Sequence, residues 1–154
     1  MNTETGRIQK LLKRNWEGPM WHGGDLKEIL EGITWEKAFQ KSGNSSHNVY
    51  ELVKHMCCWR KFVIEHLKGN TSYSVELNSE TDWIVQYEQS EVSWKRALEE
   101  LEANQTELGK AFENFPEEKL DELVPGKKFN WYVIIHGCVH HDIYHSAQIS
   151  ILKK

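Results

Sequence analysis

From Ile84 to Phe115 the apolar and aromatic positions recur at alternating steps of three and four: Ile84, Tyr87, Trp94, Leu98, Leu101, Leu108, Phe112 and Phe115. Glu91 and Gln105 are the two polar breaks, and acidic residues fill the opposite side. That is the period of one helical face. A stripe of this length has to be buried against another layer, and the rest of the sequence offers helices for the purpose.

All three prolines, Pro19, Pro116 and Pro125, fall at breaks between helical segments. The first segment runs from Thr3, a plausible N-cap, to Trp16, with Ile8, Leu11, Leu12 and Trp16 on one side. A long connection to about Ser45 follows. In it Asp25-Leu26-Lys27-Glu28 has capping-box spacing, Thr34-Trp35-Glu36-Lys37 opens a short turn or helix, and Gly43-Asn44 is a stop. The second long helix is predicted from near Ser46 to Lys68, with a stripe of Val49, Leu52, Met56, Trp59 and Val63. The third is predicted from Ser79, where Asp82 completes a box, to Phe115, and the last from Asn130 to Lys153. Strand alternation is confined to Thr71–Leu77, short and isolated. The expectation is an all-α four-helix bundle with a long connection between its first two long helices.

At 154 residues, 39% hydrophobic and 27% charged, the chain is expected to form a single domain over 1–154. Its longest apolar runs, such as Trp131–Ile135, are too short to span a bilayer. The opening Met1-Asn2-Thr3-Glu4 lacks the basic-then-apolar pattern of a secretory signal. Three cysteines, two of them the adjacent Cys57 and Cys58, make no disulfide framework, and reduced thiols in a cytoplasm are expected. Residues 76–122 hold fourteen acidic side chains against four basic ones. A stretch of that kind repels phosphate, so nucleic-acid binding is not expected.

The eight histidines are the more informative feature. The last helix carries two i,i+4 pairs, His136/His140 and His141/His145, and residues at that spacing share a face closely enough to chelate one ion. His141 and His145 share a stripe with Trp131, Ile134, Cys138 and Leu152. His136 and His140 share another with Val133, Ile143, Ala147 and Ile151. Both stripes read as buried, so periodicity leaves open which pair faces inward, and partly buried or interface histidines that satisfy their own hydrogen bonds are the alternative. His55, with Leu52 three residues before and Trp59 four after, lies at the edge of the second helix's core stripe, where a neutral imidazole needs a partner.

The segment His141-Asp142-Ile143-Tyr144-His145-Ser146-Ala147-Gln148-Ile149, together with Val49-Tyr50-Glu51-Leu52-Val53-Lys54-His55 and the following Trp59, resembles the DinB-like (YfiT-like) family of bacterial proteins. Trp16-Glu17-Gly18-Pro19, Ile29-Leu30-Glu31-Gly32 and the closing stretch to Leu152-Lys153 are similar to it too, so the likeness covers essentially the whole chain. Ala147 stands where the family often has glycine, a mild departure. The translesion polymerase that shares the name is a different protein. The resemblance implies a four-helix bundle, usually a homodimer, with a divalent metal on three histidines. Carried over by position, these are the histidine four before the tryptophan, His55, and the His-x-x-x-His pair before Gln-Ile, His141 and His145. His136, His140, His47, His22 and His66 are then left to structural roles.

Three imidazoles leave a coordination position open and suit zinc, nickel, iron or copper better than magnesium or calcium, with zinc or nickel expected first. With zinc bound, water there would be acidified towards a pKa of about 7, or a thiol would be held as thiolate. The resemblance implies a small-molecule substrate and transfer with a low-molecular-weight thiol for some relatives, and metal-dependent hydrolysis for others. A non-catalytic metal-binding or stress-response bundle is the alternative. Glu51 and Asp142 are candidate acceptors for imidazole N–H groups, or else solvated, and Gln148 is a candidate to orient a ligand or simply to cap a buried polar position. Cys138 as a fourth ligand would close the site, though a small core residue is the simpler reading. Trp59 and Trp131 are candidates to line a pocket at the metal, and Trp21, His22 and Trp35 to cover its mouth.

Overall fold

The computed structural model describes residues 3–43 and 45–154; Met1, Asn2 and Asn44, and with Asn44 half of the Gly43-Asn44 stop, lie outside the described residues. Four long helices make the bundle: α1 (Glu4–Trp16), α4 (Val49–Leu67), α5 (Glu91–Glu113) and α6 (Trp131–Leu152). The connection between α1 and α4 holds two five-residue helices, α2 (Leu26–Leu30) and α3 (Trp35–Phe39). No strand forms among the described residues, Thr71–Leu77 included, and no helix is long and apolar enough to cross a membrane.

The starts follow the capping chemistry. Thr3, Asp25 and Thr34 accept backbone N–H groups at the heads of α1, α2 and α3. Asn48 and Glu51 form a complete capping box on α4, which therefore begins at Val49 rather than near Ser46. The third long helix differs more. It begins at Glu91, capped by Ser90, and not at Ser79. Ser79 and Asp82 make a turn instead: the N–H groups of Asp82 and Trp83 both donate to the Ser79 carbonyl, and the Asp82 carboxylate reaches back to the Asn78 N–H at 2.9 Å. Ile84 and Tyr87, the first members of the stripe, pack on the core from this loop without being helical.

The apolar core lies in two parts. One joins α2 and α3 to the first half of α4 and to Trp94, Leu101 and Ile149. The other joins α1 to the second half of α4, to Leu108 and Phe112, and to the first half of α6. Between them Arg60 and Asp142 are fully buried. The Arg60 guanidinium donates to both carboxylate oxygens of Asp142, at 2.8 Å from Nη2, and through Nη1 to the Leu101 carbonyl at 3.2 Å. It also lies 5.3 Å from the Trp16 ring, so one side chain of α4 touches all three other long helices.

α6 presents its inner stripe of Trp131, Ile134, Cys138, Asp142, His145 and Ile149 to this core. The other stripe, expected to be buried, faces out: Val133 is 51% and Ile151 71% exposed, with His140 and Ala147 exposed between them and Ile143 only half-buried. Helices α4, α1 and α2 already occupy the inner side, which leaves no layer for that face among the described residues.

Arg60→Met is expected to destabilise the protein by about 3–5 kcal/mol, because it leaves a buried carboxylate without its counter-charge. Adding Asp142→Leu is expected to recover most of that loss, read as the midpoint of denaturant unfolding.

Candidate metal centre

His55 stands in the first half of α4, and His141 and His145 stand one turn apart on the inner face of α6. The three rings converge by their Nε2 atoms, 3.0 Å from His55 to His141 and 3.1 Å from His141 to His145. They are the one group of three or more His, Cys, Asp or Glu among the described residues whose ligand atoms all come within 4.8 Å of one another. A groove of about 700 Å³ between α1 and α5 contains none of the three.

The far side of each outer ring decides its tautomer. His55 Nδ1 lies 3.1 Å from the Asp82 carbonyl oxygen and 2.9 Å from its Oδ1. His145 Nδ1 lies 2.6 Å from Gln148 Oε1. All of these are acceptors, so both Nδ1 atoms carry the proton and both Nε2 atoms present lone pairs. His141 Nε2 therefore faces two lone pairs with at most one hydrogen to offer. One of the two short contacts is unsatisfied by hydrogen bonding, whichever way the proton is placed.

A cation at the convergence satisfies all three nitrogens. Metal–imidazole bonds of about 2.0–2.1 Å put tetrahedral nitrogens about 3.4 Å apart, a few tenths of an ångström beyond the separations seen. The protonation state fits as well. Burial, with the neighbouring His145 and His55, pushes His141 down to about 3, and burial pushes His145 down to about 4. Burial also lowers His55, against the opposing pull of Asp82. Neutral imidazoles are what a metal ion requires.

Asp82 is the supporting residue that the sequence did not disclose, since as an expected helix cap it would have faced solvent. It is 4% exposed, and besides holding His55 it accepts the Trp59 indole N–H at 2.9 Å. The next residue, Trp83, stacks on the His55 ring with centroids 3.8 Å apart and also on His47 at 3.6 Å. The cover over the histidines thus comes from the loop between α4 and α5. Trp21, expected at the mouth, is 96% exposed and covers nothing, while Trp35 packs on the α2–α3 side of the core.

Glu51 and Asp142 are neither imidazole acceptors for the three histidines nor solvated. Glu51 is buried and bonded to Asn48 and to the Tyr87 hydroxyl, and Asp142 is bound by Arg60. Gln148 Oε1 lies 2.6 Å from His145 Nδ1 and holds that ring. Cys138 packs with Ile134, Ile135 and Val139 and stays outside the cluster. Trp59 lines a cleft beside His141, whereas Trp131 packs on Phe115 with centroids 5.1 Å apart. Of the remaining histidines, His66 is buried with Nδ1 donating to the Phe62 carbonyl, and His136 lies under Tyr132.

The three lowered values carry a sign. Between the folded values and the unfolded value of about 6.5 the unfolded chain binds more protons, so stability rises with pH through that window and is lost as pH falls. The melting temperature of metal-free protein is expected to be level above about pH 7 and to drop between pH 6.5 and 5, with a shallower drop in His141→Gln. Equal slopes in the two proteins would contradict the burial of that imidazole.

Among known families, the model of the DinB superfamily matches residues 21–149. No curated protein and no solved structure matches the chain.

Proposed function

The chain belongs to the DinB superfamily, and on that footing we propose that it holds a divalent ion, zinc or nickel first, through Nε2 of His55, His141 and His145. The observation that carries this reading is the convergence of three Nε2 atoms in which both outer rings have their protons committed on the far side. Three ligands leave a position for a small molecule. When bound, the ion supplies Lewis acidity that makes a thiol or water nucleophilic at neutral pH.

The surrounding side chains favour a thiol. Glu51 and Asp142, the carboxylates nearest the histidines in sequence, are tied to Tyr87 and Arg60 and are not free to take a proton. A thiol with a pKa near 8.5 needs less help to ionise than water does. We therefore rank transfer with a low-molecular-weight thiol on a small molecule ahead of hydrolysis. The same commitments support, as the second reading, a bundle that binds metal without catalysis. A homodimer and a reducing cytoplasm belong to the proposal too, supported by the exposed Tyr144 and Ile151 on α6 and by three free cysteines.

Elemental content of untagged protein purified without added metal tests this. About one ion per chain is expected, lost in His55→Ala, His141→Ala and His145→Ala and kept in His136→Ala and His140→Ala. Asp82→Asn and Gln148→Ala are expected to weaken metal affinity about 10- to 100-fold, as loss of a group orienting a ligand does. An absent ion that neither zinc nor nickel restores would overturn the proposal.

A further inference from the structure

Gly137 lies in the interior of α6, where glycine weakens a helix relative to alanine. Its backbone does not require glycine, since it is not among the positive-φ residues. Nor does crowding, since a Cβ at this position would meet nothing within 4 Å. What lies beside it is a cleft of about 210 Å³ between α4 and α6, walled by Trp59, Phe62, Phe129, Val133 and His141.

The walls are apolar apart from His141, and no carboxylate is among the described residues lining the cleft. Two polar contacts hold them in place. The Trp59 indole is pinned by its hydrogen bond to Asp82, and the Lys127 ammonium lies over the Phe62 ring, 5.2 Å from its centroid. The volume is below the roughly 300–1,000 Å³ of pockets for drug-sized ligands. It exceeds the roughly 150 Å³ that suffices for benzene in an apolar cavity. His141 is at once a wall of the cleft and the central member of the three converging imidazoles.

We propose that this cleft binds the apolar group of the substrate, one aromatic ring or a branched aliphatic chain of similar size, and that Gly137 keeps it open. Calling the occupant a substrate rests on the metal reading above; binding of the apolar group itself does not need the ion. A ring seated in the cleft lies against His141, so a sulfur one carbon away from it is within reach of the histidine cluster. The cleft thus selects which small molecules the open position meets.

Benzyl alcohol, benzyl mercaptan and 2-mercaptoethanol separate the contributions, with binding read by ligand-observed NMR. Benzyl alcohol is expected to bind metal-free protein and to bind at least tenfold more weakly to Gly137→Leu, which fills the cleft. The same loss is expected for Val133→Asp, at its exposed lip. Zinc content and affinity for 2-mercaptoethanol are expected to be unchanged in both variants, while benzyl mercaptan binds zinc-loaded wild type more tightly than either partial ligand. Gly137→Ala is expected to raise the melting temperature. Equal benzyl alcohol affinity in wild type and both variants, or a lower melting temperature for Gly137→Ala, would overturn the assignment. Protein that takes up no zinc yet shows the benzyl alcohol losses would overturn the function proposed above and leave the cleft standing.

Discussion

A charge pair shielded from water sets the relation between the two helices that carry the histidines. Arg60 follows His55 by five residues on α4, and Asp142 directly follows His141 on α6. Their bidentate contact therefore fixes both the rotation and the register of α6 against α4. Turned by one residue in either direction, α6 would bring neither His141 nor His145 to His55. A buried pair of this kind is weak as a source of net stability, because desolvation offsets much of the Coulombic gain. Its contribution here is specificity of packing, extended to α5 through the Leu101 carbonyl and to α1 through Trp16.

Within that frame the site is built from the outside in. Asp82 and Gln148 hold the protons of His55 and His145 away from the centre, and burial keeps all three imidazoles neutral. The result is a set of lone pairs that hydrogen bonds among themselves cannot satisfy. The side chains that do this work also shape the approach. Asp82 holds both His55 and Trp59, so a single carboxylate links the orientation of an imidazole to one wall of the neighbouring cleft.

The long helices and the histidine spacing were legible because both are local properties of an α-helix. Capping residues marked the head of α1 and α6, and the resemblance selected His55, His141 and His145 from eight histidines. Three readings failed for the same reason. Ser79 and Asp82 have the spacing of a helix start, but the Asp82 carboxylate is taken up by Trp59 and the Asn78 N–H, contacts that no local rule announces. The outer stripe of α6 is as apolar as the inner one, and only the packed partners distinguish them. Asp142 likewise read as a neighbour of His141, while its partner lies 82 residues away.

An ion on three imidazoles with a position left open has a spectroscopic signature, and X-ray absorption at the metal edge of zinc-loaded protein reads it. Three imidazole nitrogens at about 2.0–2.1 Å and no sulfur are expected in the resting protein, with one sulfur at about 2.3 Å appearing when a small thiol is added. A sulfur already present in the resting protein, or fewer than three imidazoles, would contradict it.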